Sequence, residues 1–244
     1  MRLYEVLATE YKDIFPSSQE KVDFLEKYLK EGKSHQILDI GCASGEFAHQ
    51  LSSASREIIG IDLDLLMIEE ARTLYLSVAD SMIHFEQADM LLFLSDSDPD
   101  KYDLISCLGN TIVYLDGESE LIDFLRSAKE ALKEHGTLVI QILNYGNPQI
   151  MPGFIFPGAE TEKIEFQRQY ESLEDSLKFG FKTTIKDKST GETDTDLHYH
   201  HPFLSDRIAE IAQKVGFKDS NIYGGYDGKD SEVSDFFHLI VLKK

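Results

Sequence analysis

Between residues 34 and 145 the chain alternates short apolar runs with stretches of helical periodicity, and that alternation leaves few folds open. The runs are Ile37–Ile40, Ile58–Ile61, Met82–Ala88, Tyr102–Cys107 and Thr137–Leu143. Each is short, and Gly, Asp or Asn stands at or near its exit, which marks buried strands rather than helices. Between them, Phe47, Ala48 and Leu51, then Leu66, Met67, Glu70, Ala71 and Leu74, then Leu121, Phe124, Leu125, Ala128 and Leu132 follow helical spacing. The last of these helices is predicted over 118–133, with Gly136 as its stop. Strands joined through helices run parallel, with helices on both faces of the sheet. A ligand in such a sheet lies at the carboxyl ends of the strands, close to where the strand order reverses. Asp62, Asp89, Gly109-Asn110 and Asn144-Tyr145 all fall at those ends.

The first strand leads into the turn Gly41-Cys42-Ala43-Ser44-Gly45 and then directly into a helix. Glycine at both ends of this turn permits positive φ and close approach of a ligand, while the first N–H groups of the helix point past the strand end. Asp62 follows Gly45 by 17 residues, about the distance at which a nucleotide-binding sheet places a carboxylate on the ribose hydroxyls. A dinucleotide turn of the G-x-G-x-x-G type is excluded, because Ala43 and Glu46 occupy its second and third glycine positions.

Ahead of the first strand, Val22, Leu25, Tyr28 and Leu29 predict a helix over 17–31, with Ser17 or Ser18 as N-cap and Gly32 as stop. Before that helix lies an aromatic-rich arm, in which Tyr11 and Phe15 read either as a flap over the ligand or as packing on the sheet edge. Beyond residue 145 the pattern changes. Pro148, Pro152 and Pro157 break the chain, then Ile164–Tyr170 and Lys178–Ile185 alternate like strands, and Ser189-Thr190-Gly191 after them can turn a hairpin. The expectation is an antiparallel insertion over 146–201 that covers the strand ends. A helix over 202–215 and two strands, 217–226 and 235–242, return to the sheet. The whole chain, 1–244, is expected to be a single domain, with a helical arm (1–33), a cofactor-binding half (34–145), the insertion (146–201) and a final helix with two strands (202–244).

Composition narrows the partners. With 24 basic and 44 acidic residues the net charge is −20, a field that repels nucleic acid and anionic membrane surfaces. Neither is expected as a partner. The two cysteines, Cys42 and Cys107, both lie beside strand ends without metal-ligand spacing, so neither a disulfide nor a metal site is expected. No apolar run approaches the roughly 18 residues of a membrane span, and the expected location is the cytoplasm.

These motifs resemble the class I S-adenosylmethionine-dependent methyltransferases. Asp39, Gly41 and Gly45 match the family's first motif, with Ala43 where a glycine is common. Gln87-Ala88-Asp89-Met90 resembles the third motif, and Cys107-Leu108-Gly109-Asn110-Thr111 and Asn144-Tyr145 resemble the branch that includes glycine/sarcosine N-methyltransferases. That branch usually continues Asn-Tyr with Asp, whereas this chain has Gly146-Asn147.

The resemblance implies a Rossmann-like, mostly parallel seven-stranded sheet with S-adenosyl-L-methionine as cofactor. Asp39, Gly41, Cys42, Ala43 and Gly45 would hold its methionine end, although Asp39 reads equally as a brace for the turn. Asp62 would take the ribose, Asp89 and the Met90 N–H the adenine, and Cys107 and Leu108 would line the site, with Tyr11 and Phe15 as lid. The acceptor is expected to be a small molecule methylated on nitrogen. The alternatives are oxygen or carbon methylation, or a catalytically silent cofactor-binding partner protein.

Methyl transfer asks mainly for alignment, so no catalytic triad is expected. Asn110, Asn144 and Tyr145 are candidates to orient the acceptor. In His198-Tyr199-His200-His201, alternate residues of an extended segment point to opposite faces, which disfavours a metal site. Tyr199 with one histidine is the candidate pocket wall or base. Arg168 and Arg207 are candidate cations for a carboxylate on the acceptor, and the sequence does not choose between them.

Overall fold

The computed structural model describes residues 2–30, 33–75, 82–174 and 177–244, with only the backbone for 2–4. The chain begins with α1 (Arg2–Ile14) and α2 (Gln19–Glu26) and then enters β1 (His35–Ile40). There follow α3 (Glu46–Leu51), β2 (Arg56–Asp62), α4 (Leu65–Tyr75), β3 (Met82–Gln87), α5 (Met90–Ser95) and β4 (Tyr102–Cys107). A 3-10 turn at Thr111–Tyr114 precedes α6 (Glu118–Ala131) and β5 (Leu132–Leu143). The insertion supplies β6 (Ala159–Glu160), β7 (Ile164–Ser172), β8 (Phe179–Asp187) and β9 (Thr193–His200). The chain closes with α7 (Ser205–Lys214), β10 (Asp219–Tyr223) and β11 (Phe237–Lys243).

The main sheet has seven strands in the order β10-β11-β5-β4-β1-β2-β3. The first five strands of the chain pair in parallel, whereas β11 lies antiparallel to β5 and β10 antiparallel to β11. Strand order reverses between β1 and β4, so the crevice expected of such a sheet opens where Gly41 and Leu108 leave those strands.

Alternate residues of the strands feed two apolar layers. On one face Ile37, Ile58, Ile83, Leu104 and Val139 pack with Phe24 and Leu25 of α2, Leu51 of α3 and Ile68 of α4. On the other face Leu38, Ile40, Ile105, Ile140 and Ile240 pack with Leu94 of α5, Phe124 and Leu125 of α6 and Ile208 of α7. Coverage on both sides explains why these strands read as near-continuous apolar runs rather than alternating ones.

The insertion is antiparallel as expected, in the order β6-β7-β8-β9. Its third long strand, β9, continues past the predicted turn at 189–191 into the extended 198–200 segment, and its first half gave no strand pattern because Thr193-Asp194-Thr195-Asp196 shows no apolar side. The aromatic arm is the regular helix α1. Leu7, Ala8 and Ile14 of this helix bridge Met67 on α4 and Ile164, Phe166 and Ile185 on the insertion sheet. It thereby ties the insertion to α4 of the parallel-sheet half.

Two boundaries differ from expectation. The helix predicted to 133 ends at Ala131, and Gly136 stands within β5, where the β4 pairing shifts between Tyr102/Leu132 and Leu104/Thr137. A side chain at Gly136 would lie 2.9 Å from the Lys133 carbonyl and 3.0 Å from that of Tyr102, so the glycine serves close backbone approach rather than a helix stop. The helix predicted over 17–31 spans only Gln19–Glu26, capped by Ser18 accepting from the Lys21 N–H. Its predicted stop, Gly32, lies outside the described residues. Cys42 and Cys107 are buried free thiols. No described helix is long and apolar enough to cross a membrane.

Candidate functional site at the carboxyl ends of the strands

The turn after β1 adopts left-handed backbone at Gly41 (φ 73°), Ala43 (φ 47°) and Gly45 (φ 80°). Gly41 and Cys42 donate to the Ile61 carbonyl at 2.8 and 3.0 Å, which docks the turn on the end of β2. A side chain at position 41 would run into Thr111, whose hydroxyl is tied to the Leu108 carbonyl at 2.7 Å. The strand-one and strand-four exits are therefore in direct contact.

Asp39 sits behind this turn, 4% exposed, and accepts from the Ser106 hydroxyl at 2.8 Å. Burial raises its carboxyl from 3.8 to about 7, opposed by Ser106 and the Lys21 charge and reinforced by Asp62. The folded chain thus keeps a proton that the unfolded chain has already released. The stability this proton linkage supplies is complete below the unfolded value near 4 and lost as pH rises through about 7. Asp39→Asn is expected to flatten the fall in the urea midpoint of the unligated protein between about pH 5 and 8, a slope of up to about 1.4 kcal/mol per unit. An unchanged slope in the variant would refute this.

Lys21 of α2 was not found from the sequence. Burial lowers its ammonium while Asp39 and Glu46 pull it back up, which places this cation beside the turn. A lone lysine in a helix two elements upstream carries no local signal of such a position.

Asp62, at the end of β2, accepts from the Ala43 N–H with one oxygen (2.9 Å) and from the Asp64 N–H with the other (2.9 Å). Each oxygen keeps a second lone pair, the pattern needed to accept two vicinal hydroxyls. Asp89 caps α5 with a single oxygen, accepting from Leu91 and Leu92 at 2.9 and 3.0 Å. Burial of the Tyr11 phenol pushes it up to about 12, with Asp62 adding to the rise and Arg168 opposing it. Tyr11 on α1 therefore shares one volume with the β2 exit and the insertion sheet. Phe15 packs on Tyr11 at 4.9 Å and on Phe166 at 5.8 Å.

Opposite these acids, Asn110 accepts from the Leu143 N–H (2.9 Å) and donates to the Tyr145 hydroxyl (3.2 Å). The Tyr145 hydroxyl is 2.7 Å from that of Tyr170, which is 3.0 Å from Nδ1 of His200. His200 is 3% exposed, its Nε2 is buried without a partner, and Tyr114 stands edge-on to its ring at 4.7 Å. Burial pushes its imidazole down to about 3, so it is neutral near pH 7. The Tyr145 phenol is raised to about 12, again chiefly by burial. Tyr170 and His200 joined this chain only through the pairing of β8 with its neighbours, Tyr170 opposite Phe181 and His200 opposite Phe179. No sequence-local pattern announces that contact.

Two expected residues stand elsewhere. Tyr199 lies on the opposite face of β9 from His200 and is 55% exposed, because alternation turns adjacent residues to opposite sides. Position 200, not 199, reaches the tyrosine cluster. Asn144 is 3% exposed and donates to the carbonyls of Glu232, Val233 and Asp235, while its oxygen accepts from Gly146. That amide braces the 232–235 loop and is turned away from orienting an acceptor. Asn144→Ala is expected to lower stability by about 2–3 kcal/mol in urea unfolding, since it leaves buried backbone carbonyls unpaired, and to change cofactor affinity less than about threefold. A strong loss of cofactor binding at unchanged stability would argue against the bracing role. Among the described residues no group of three His, Cys, Asp or Glu is placed to hold a metal ion.

The geometry suits a nucleoside-type ligand: a docked turn, a two-oxygen acceptor at β2, a cap carboxylate at α5 whose second oxygen meets no partner among the described residues, and a helix over the top. Comparison with known proteins agrees. A family profile described as a methyltransferase domain matches residues 37–136. A glycine/sarcosine N-methyltransferase of Aphanothece halophytica is 23% identical, over 93% of this chain and 83% of that protein. A ubiquinone biosynthesis O-methyltransferase of Alkalilimnicola ehrlichii is 27% identical, but over only 41% of this chain and 39% of its own length. Among solved structures, the CcbJ methyltransferase of Streptomyces caelestis superimposes with a TM-score of 0.80 at 17% identity, over 97% of this chain and 95% of that one.

Proposed function

This chain is a class I S-adenosylmethionine-dependent methyltransferase, and from that premise we propose that it transfers the methyl group to nitrogen on a small-molecule acceptor. In this reading Asp62 accepts the ribose hydroxyls, and the free oxygen of Asp89 with the Met90 N–H reads the adenine. The Gly41–Gly45 turn and the Lys21 ammonium take the amino-acid end. Cys107 and Leu108 line the floor, and Tyr11 and Phe15 of α1 close over the site and exclude water. Bound there, the cofactor supplies an electrophilic methyl on a sulfonium. The residues present contribute alignment, which is worth several kcal/mol when the reacting groups are held in line.

The observation that supports nitrogen is the lack of a base fitted to neutral pH among Asn110, Tyr145, Tyr170 and His200. His200 is held at about 3 and Tyr145 at about 12. An alcohol must lose its proton as it attacks, which calls for a base tuned near the working pH. A neutral amine brings its own lone pair and needs only an acceptor for one of its N–H groups, a task the Tyr145 and Tyr170 oxygens can perform. The match of the N-methyltransferase over nearly the whole chain supports the same choice.

The test uses matched acceptors, sarcosine against glycolate and ethanolamine against ethylene glycol, with trideuteromethyl-labelled cofactor. Tandem mass spectrometry is expected to place the label on nitrogen and to find none on the diol or the hydroxy acid. Label on oxygen, or on neither member of any pair, would contradict the reading.

A further inference from the structure

At the amino ends of the parallel strands, the end of the sheet away from the cofactor turn, there is a cleft of about 400 Å³. Four segments line it: Lys27 and Lys30 follow α2, His135 lies early in β5, Lys218 precedes β10, and Lys243 ends β11. They meet because β11 lies antiparallel to β5, with Lys243 opposite Thr137, and β10 antiparallel to β11, with Asp219 opposite Lys243. Backbone bonds fix them. The Lys218 N–H donates to the Lys243 carbonyl (2.8 Å), the Lys244 N–H to the Gly136 carbonyl (3.1 Å), and the Lys30 N–H to Nε2 of buried His35 (3.1 Å). The length of β5 from Thr137 to Leu143, roughly 20 Å, separates this cleft from the strand exits.

Five lysines line the cleft against one carboxylate, Asp219, in a chain where acids outnumber bases 44 to 24. Lys218 is paired with Glu134 and Lys244 with Asp100. Lys27 lies over the Phe24 ring at 5.1 Å, and neither it nor Lys30 nor Lys243 has an ion pair among the described residues. On the insertion, by contrast, Lys163, Lys182, Lys186 and Lys188 each meet a glutamate. The negative carboxyl end of α2 accounts for Lys27 and Lys30, because cations favour that end of a helix. It does not account for Lys243, which arrives on β11, or for the scarcity of acids around it.

We propose that this cleft binds a small polyphosphate, at a site separate from that of the cofactor and the acceptor. A single exposed ion pair adds little, and salt screens charges more than about 8 Å apart. An anion with one charge therefore gains little here. Linked phosphates carry several charges a few atoms apart and meet the Lys27, Lys30 and Lys243 ammonium groups together. Lysine suits such a ligand, since its flexible stem delivers a point charge with three donors to phosphate oxygens. The volume falls within the roughly 300–1,000 Å³ of small-molecule sites. A net charge of −20 opposes a long nucleic acid, whose phosphates run beyond the cleft onto acidic surface, whereas a short polyanion keeps its charge inside.

Isothermal titration with tripolyphosphate, orthophosphate and ATP tests this in about 0.1 M KCl with EDTA. The protein is saturated with S-adenosylhomocysteine, which keeps ATP out of the cofactor site. Tripolyphosphate is expected to bind one to one, at least about tenfold more tightly than orthophosphate, and Lys30→Gln with Lys243→Gln to weaken it about tenfold or more. Lys186→Gln with Lys188→Gln removes the same charge from the insertion and is expected to change the affinity less than about threefold. Retained S-adenosylhomocysteine binding shows that the first double variant is folded; if it fails to fold, Lys243→Gln alone is expected to weaken tripolyphosphate at least about threefold. ATP distinguishes the sources of the phosphates: comparable affinity, lost in the same variant, assigns a nucleotide, and exclusion of ATP assigns a free polyphosphate. No binding of tripolyphosphate, equal losses in the two double variants, or orthophosphate bound as tightly would overturn the proposal. A single-stranded oligonucleotide bound more tightly than tripolyphosphate, in dependence on Lys30 and Lys243, would overturn the small-ligand assignment in favour of nucleic acid.

Discussion

Replacing Asp62 by Ala is expected to raise the dissociation constant for S-adenosylhomocysteine by about two orders of magnitude, the largest effect of any single side chain at the cofactor site. Two losses combine. In the proposed binding mode the ribose hydroxyls lose a charged acceptor, and a hydrogen bond to a charged group is worth roughly 1.5–3 kcal/mol. The Ala43 N–H, now held by Asp62 at 2.9 Å, is released as well, in a turn where Ala43 sits at φ 47°. A non-glycine residue in that region stores of order 1 kcal/mol of strain, so the turn loosens once its tether goes. Each 1.4 kcal/mol is a factor of ten, which gives the expected range. Asp62→Asn keeps one acceptor oxygen and is expected to fall in between. Isothermal titration settles the matter, and an affinity within threefold of the parent would mean that the ribose is held elsewhere.

The second large effect is on stability. Gly45 has φ 80°, and a side chain there would meet the Phe85 ring at 2.6 Å and the Ala71 methyl at 3.0 Å. Valine combines a β-branched residue in left-handed backbone with an overfilled contact between α4 and the turn, each worth about 1–3 kcal/mol. Gly45→Val is therefore expected to lose about 3–5 kcal/mol, read as a clear drop in the urea midpoint, and to abolish tight cofactor binding. Gly158→Val is the control, because nothing lies within 4 Å of a side chain added there. Equal midpoints for the two variants would show that the turn tolerates what its geometry forbids.

The parts of this molecule that could be read from the sequence are those whose signal is local. β1, β2 and β4 are covered on both faces, so each appears as an apolar run, and the residue that leaves each strand is adjacent in sequence to the run that identifies it. Asp39, Gly41 and Asp62 were visible for that reason, whereas Asp89 follows the alternating edge strand β3. β9 gave no strand pattern because Thr193–Asp196 is polar on both faces, although the turn at Ser189-Thr190-Gly191 marked its start. The roles of Asn144 and Tyr199 depended on what lies across space. Asn144 is bound to a loop some 90 residues away, and Tyr199 differs from His200 only by the face of a strand. Lys21 and Tyr170 acquire meaning only when α2 and the insertion sheet are docked on the strand ends.

The most direct test of the account is a crystal structure grown with S-adenosylhomocysteine. The expected result is ribose on the Asp62 carboxylate, adenine beside Asp89 and Met90, and sulfur facing the space enclosed by Tyr11, Asn110 and Tyr145. Density for the ligand on any other surface, or with its ribose away from Asp62, would contradict it.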